Sequence, residues 1–471
     1  MLKAHKDIYD AVIIGAGMSG LVCGCYLAKA GMKVLIAEQH FKPGGYCTSF
    51  KRKGFTFDAA AHSFGSYREG GTVNRVLKEL GLNNRIKIKR YDPSDVIITP
   101  DYKITFWTEI DKTIQELHKA FPHESGINAF INFMSNPKPS EIASLRKKTF
   151  QDLLNRYFRD DRLKTIFSLP LFGYGGLPPS LMSAFTGSKI FSEFVLDGGY
   201  YPEGGMQVLP DLLAERFKEF GGTLLLSCPV KKIKIRNSIA SGVILGKGDL
   251  IESKNTISNC DSRQTLFNLI GKKMVDQDLL SKVNTMIPSL SMFILYIGID
   301  ELFRSLPKPG TNVWFLSHYD LDRTYLAAKQ GDFQGVGGFM VRLSPDKKTI
   351  LAFVNSPFRN KRYWSNNKNK LLEAFIRRIE TSTIPSLSKH ILYRDAATPY
   401  TLYRYTLNYK GAAYGWESIP SQFAEAEFRK PSFIQGLYMT GHWTTYAQGI
   451  PGVVYLGYDT AKLIMRKKTS P

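Results

Sequence analysis

The 471-residue chain is predicted to be an α/β protein built around a parallel sheet. Three observations predict it: a glycine-rich strand–turn–helix signature near the N-terminal end, a Gly-rich turn leading into a helix and two strands in the middle, and a Gly-Pro helix start near the C-terminal end. The three lie far apart with no low-complexity linker between them, so the domains are expected to interleave rather than follow one another.

The first element runs from Asp10 to Ile14, a short apolar strand, and enters the turn GAGMSG. Gly15 supplies the tight turn, Gly17 a close backbone approach to a pyrophosphate, and Gly20 close packing of the helix on the sheet. The helix is expected from Met18 to about Ala30, with Ser19 in its first turn as a candidate contact and Gly31 ending it. KVLIA then forms the second strand, and Glu38, 23 positions past the first glycine, stands where a carboxylate accepts hydrogen bonds from ribose hydroxyls. Strands, terminator and carboxylate in register point to a dinucleotide site.

The middle block GGYYPEGGMQVLPDLLAERFKEFGGTLLLSCPVKKIKI reads as a Gly-rich turn, a helix from about Val208 to Phe220, a stop at Gly221 and Gly222, and the strand TLLLS. The basic strand beyond Pro229 and Val230 returns the chain to the dinucleotide sheet, followed by TISNCD. Thr165 to Ser188 holds no charged residue, but GYGGLPPS at its centre breaks any membrane-spanning helix, so it is read as an apolar cavity wall or a segment dipping into one leaflet. Before it, Phe150, Leu153, Leu154, Tyr157 and Phe158 recur at helical spacing among Arg146, Lys147, Lys148, Arg156, Arg159 and Arg162. Such a basic amphipathic helix either lies in an anionic membrane interface or covers a core.

The formal charge of +22 favours acidic surfaces. RIKIKR and KKIKIR alternate charge with apolar residues, as strands with one solvated face do, and no nucleic-acid module is present, so no nucleic-acid partner is expected. Five scattered cysteines without a secretory leader imply a reducing compartment, and the histidines show no ligand spacing, so no metal is expected.

PGGYCTSFKRKGFTFDAAAH, GGYYPEGGMQVL, YMTGHWTTYAQGIPGVVYLGYDTAKLI and TPYTLYRYTLNYKGAAYG together resemble the flavin-containing amine oxidoreductase superfamily, in its carotenoid desaturase, carotenoid isomerase and retinol saturase branch. The resemblance implies an amine oxidase-like fold, with a Rossmann-like FAD-binding domain (1–84, 198–262 and 430–471) interleaved with an α+β substrate domain (85–197 and 263–429). It places FAD against Gly44, Gly45, Val230, Gly441, His442 and the helix start Gly449, Ile450, Pro451, Gly452 and Val453, besides the N-terminal glycines. An arginine common after the Gly-Gly pair in amine oxidases is absent here, where Tyr46 and Cys47 follow; Cys47 reads as a small buried thiol.

The implied activity is FAD-dependent desaturation or saturation of carbon–carbon bonds in a polyisoprenoid or carotenoid-like lipid. Alternatives are flavin-dependent cis–trans isomerisation, amine oxidation, and non-enzymatic prenyl-lipid binding of the GDP-dissociation-inhibitor type. Candidates for proton handling are His62, Tyr405 and Tyr414. GVGGF near Gly335 lacks the context of a second dinucleotide fingerprint, so electrons are expected to pass through a quinone, oxygen or another diffusible partner. The expected location is cytoplasmic, peripherally on a membrane surface.

Overall fold

The computed structural model describes residues 8–136, 138–300, 303, 307–423, 428, 433–445 and 448–468. Strand Tyr9–Ile14 leads into helix Met18–Lys29, and the chain returns as Val34–Ala37, parallel to the first strand with Ala11 opposite Val34. Thr223–Leu225 pairs beyond the second strand, Leu250–Ser258 pairs on the far side of the first, and Leu437–Met439 pairs with the end of Leu250–Ser258, all parallel. Three distant regions of the chain therefore build one sheet.

Alternate residues of these strands face opposite ways, and each face has its own cover. Ala11, Ile13, Val34 and Ile36 pack under helices Met18–Lys29, Val208–Glu219 and Gly449–Lys468. Val12, Ile14, Leu35 and Ala37 pack against Leu266, Leu269, Val283, Trp416 and Trp443. Burial on both faces is why these strands read as continuous apolar runs. KKIKIR lies in the strand Val230–Arg236, with Ile233 buried and Lys231, Lys232 and Arg236 exposed. RIKIKR contributes only Ile88–Arg90, paired with Tyr200–Pro202.

The second sheet has seven strands in the order Ile391–Ala397, Ser291–Ile299, Thr349–Ser356, Gly338–Leu343, Asn312–Leu316, Asp95–Ile98, Lys103–Phe106. All neighbours are antiparallel except Asn312–Leu316 with Asp95–Ile98. On one face, Phe375 of helix Lys361–Ser382 packs on Phe339, and Trp364 stacks on Phe293. On the other, Trp314 meets Tyr174 of helix Asp161–Gly175.

The burial of two stretches decides between readings that the sequence left open. Within the basic amphipathic stretch, Phe150, Leu153 and Leu154 lie on the short helix Phe150–Leu154, which a Thr149–Asp152 capping box opens. Phe150, Leu153, Leu154 and Phe158 are all buried in the core of the second unit, so this apolar face is not available to a bilayer. The uncharged stretch forms most of helix Asp161–Gly175, ended by Gly176 at φ 75°, and helix Ala184–Ile190. Its Ile166, Phe167, Leu169 and Leu171 are core residues, which excludes the leaflet reading. Among the described residues, no helix is long and apolar enough to cross a membrane.

Candidate active site

The glycine turns meet as backbone against backbone. Gly44 donates its N–H to Ala16 O at 2.9 Å, and a Cβ on Gly45 would stand 3.6 Å from Gly17 Cα. A Cβ on Gly20 would stand 2.2 Å from Gly15 O, so only glycine fits there. Gly15, Gly44 and Gly45 have φ of 97°, 127° and 60°, the left-handed region that glycine enters without strain.

Glu38 is fixed beside this turn: Ala16 N donates to its Oε2 at 2.7 Å and His40 N to its Oε1 at 2.8 Å. Burial pushes its carboxyl up in pKa, and those backbone donors pull it back down. Glu38 O accepts from Cys228 N at 2.8 Å, which carries the chain leading to Val230 over the end of the second strand.

Asn259 is a site residue the sequence reading missed. Its N–H donates to Ile14 O at 2.9 Å and its Nδ2 to Gly15 O at 3.3 Å, while a Cβ on Gly441 would fall 2.6 Å from its Oδ1. The available signal was TISNCD, an amide side chain at the end of a strand that returns to the glycine turn. The Ser19 side chain is committed within the protein: its Oγ shares a 2.7 Å hydrogen bond with Thr440 Oγ1, which also accepts from Thr460 Oγ1 at 3.1 Å. It fastens the first helix to the last, whose Gly457 has no room for a Cβ against Ser19 O.

At the other end, Gly449 has φ 67°, and a Cβ there would meet the Phe194 ring at 2.4 Å. Ile450, Pro451, Gly452 and Val453 form the first turn of Gly449–Lys468, where backbone N–H groups lack partners within the helix. Beside it, His442 Nε2 and Gln448 Oε1 are shut off from solvent and find no hydrogen-bond partner among the described residues. Such atoms cost about 1–3 kcal/mol each when left unmade. A glycine cradle with a fixed carboxylate at one end, and unpartnered polar atoms at a helix start at the other, fit FAD, a diphosphate joined to a hydrogen-bonding ring.

The proton-handling candidates separate. His62 is buried; its Nδ1 lies 3.1 Å from Ala60 O and therefore carries the proton, and its Nε2 finds no partner among the described residues. Burial, and then the nearby Arg342 charge, push its pKa down to about 3. Burial likewise lowers His442 to about 4. Tyr414 is buried and donates to Gly173 O, its phenol held well above its ordinary pKa by burial. Contacts run from His62 to Tyr174 at 6.3 Å and from Tyr174 to Phe194 at 5.0 Å, so His62 stands on the same wall as the start of the last helix. Tyr405 is not part of this group. It is 45% exposed on helix Pro399–Thr406, against His40 and Arg404. Cys47 is a buried thiol directed at Met206 O, its pKa raised by burial.

Fold and site together define a dinucleotide-binding oxidoreductase. The model of the flavin containing amine oxidoreductases matches residues 18–465, and the chain belongs to that family. It is a flavoenzyme whose cofactor is FAD. It is similar to all-trans-retinol 13,14-reductase of Danio rerio, 24% identical over 93% of this chain and 83% of that one. It is similar to chloroplastic prolycopene isomerase of Daucus carota, 24% identical over 95% and 78%. Phytoene desaturase (lycopene-forming) of Pseudescherichia vulneris is 25% identical over 96% and 98%. Among solved structures, putrescine oxidase bound to putrescine superposes with a TM-score of 0.66 at 16% identity, covering 98% of this chain and 99% of that one, a likeness of fold.

Proposed function

We propose that the chain desaturates or saturates carbon–carbon bonds of a polyisoprenoid or carotenoid-like lipid. The observation that carries this is the near-full-length likeness to three proteins named for retinol, prolycopene and phytoene. An aromatic wall of Tyr174, Phe194, Trp314 and Phe353 beside His62 supports an apolar substrate. FAD, when bound, supplies hydride exchange at its ring N5. The chain contributes a dry, aromatic surface that orients the polyene, and a neutral His62 whose bare Nε2 can accept a hydrogen bond. The first turn of the last helix favours negative charge placed against it.

Electrons are proposed to pass through a quinone, oxygen or another diffusible partner. The +22 charge supports a peripheral location on an anionic membrane, reached through surface charge rather than through the buried Phe150 face. A redox-neutral cis–trans isomerisation is the second reading, favoured by the likeness to prolycopene isomerase at the same identity as the reductase.

Expression in cells that make phytoene, lycopene or squalene, followed by mass analysis of the lipid fraction, tests this. Gain or loss of hydrogens in pairs is expected, its sign giving the direction, and unchanged mass with altered retention would select isomerisation. Unchanged lipids, with an amine consuming oxygen and yielding peroxide, would overturn the proposal.

A further inference from the structure

The second sheet carries a buried charged row. Asp95, Asn312 and Arg342 lie side by side on three adjacent strands, Asp95 in register with Asn312 and Asn312 with Arg342. Asp95 is 0% and Arg342 2% exposed. Asn312 joins them: its Nδ2 donates to Asp95 Oδ1 at 3.0 Å and to Tyr174 OH at 2.9 Å, and its Oδ1 accepts from Arg342 Nη1 at 2.8 Å. Trp314 Nε1 also donates to Asp95 Oδ1, at 2.7 Å. Tyr174 stacks on His62, which ties the row to the candidate active site.

Even so, Asp95 Oδ2, Arg342 Nη2 and His62 Nε2 are buried and find no partner among the described residues. Asn355 Oδ1 is in the same state, on the wall of a narrow crevice formed with Phe172, Gly173, Trp314 and Phe353. Desolvating an arginine and an aspartate is expensive, and unmade hydrogen bonds add to the cost, so a purely hydrocarbon ligand would leave the whole expense in place. A hydroxyl is a donor and an acceptor in one group. Its single proton supplies a donor to one of Asp95 Oδ2 and His62 Nε2, and its oxygen the acceptor that Arg342 Nη2 lacks. A carboxylate suits the row less well. Asp58 already acts on the same guanidinium, so an acid would bring three carboxylates around one arginine.

We propose that the Asp95–Asn312–Arg342 row, with His62, recognises a hydroxyl group on the substrate, which makes that substrate a polyisoprenoid alcohol rather than a hydrocarbon. This rests on the polyisoprenoid reading above.

The test uses the FAD-loaded full chain and three probes of one skeleton: all-trans-retinol, its deoxy hydrocarbon analogue, and all-trans-retinoate. Binding is read from quenching of tryptophan fluorescence, to which Trp314 contributes, and needs no turnover. A site built to pair a hydroxyl rejects the analogue lacking it, so the alcohol should bind at least about tenfold tighter than the hydrocarbon, and tighter than the acid. Arg342→Met and Asp95→Leu should each bring alcohol and hydrocarbon within about twofold by removing that pairing. Asp95→Leu keeps the test open if Arg342→Met does not fold. Equal binding of alcohol and hydrocarbon by the wild type would overturn the proposal and assign the unmade bonds to ordered water. Binding of neither polyene, with binding of an amine, would overturn the polyisoprenoid reading beneath it.

Discussion

His62 couples the chemistry of the site to the stability of the chain. Its pKa is about 3 in the folded chain, pushed down from the ordinary 6.5 by burial and then by Arg342. Between those two values the unfolded chain takes up a proton that the native chain refuses. The stability tied to neutral His62 is therefore complete above pH 6.5 and is lost as pH falls toward 3, at about 1.4 kcal/mol per pH unit. His442, lowered to about 4, adds a slope of the same sign. Urea unfolding of wild type and His62→Gln, at several values from pH 6.5 down to about 4.5, should give the variant a slope shallower by about 1.4 kcal/mol per unit. Equal slopes would show that the ring is not held neutral. His62 was legible in the sequence because it follows the segment returning to the glycine turn. Arg342 and Asp95 were not, since a charge inside an apolar strand such as FMVRL shows its partner only once the strands are paired.

Periodicity reports a helix face but not what covers it, and Phe150 to Phe158 shows the difference. The apolar spacing was read correctly, yet its partner is the protein core and not lipid. Gly187 helps make room: a Cβ there would stand 2.5 Å from the Phe150 ring. Phe150→Ala should therefore cost about 3–5 kcal/mol in urea unfolding, as large-to-small changes of buried aromatics do. Recovery with anionic vesicles should be unchanged. Wild-type stability with lost vesicle recovery would instead assign the ring to the membrane. Glycine-marked elements were easier, because Gly15, Gly44 and Gly449 sit at backbone angles or approaches that the motif itself requires.

Across the whole molecule, the first sheet was legible because its strands carry glycine turns at their ends, even though they come from three regions of the chain. The second sheet was not, since strands buried on both faces, such as Ser291–Ile299 and Thr349–Ser356, show no alternation to read. The division into 1–84, 198–262 and 430–471 against 85–197 and 263–429 stands as a proposal, and the packing of Leu266, Leu269 and Val283 on Val12 and Ile14 draws that stretch toward the first sheet. The central claim is that the bound FAD exchanges electrons with carbon–carbon bonds of a polyene. The most direct measurement mixes the purified, FAD-loaded protein anaerobically with a polyisoprenoid, starting from oxidised and from reduced flavin, and follows the flavin spectrum together with the mass of the lipid. The account predicts bleaching of oxidised flavin or recovery from reduced flavin, one flavin per pair of hydrogens moved in the polyene. A flavin unchanged by every polyene but bleached by a primary amine would contradict it.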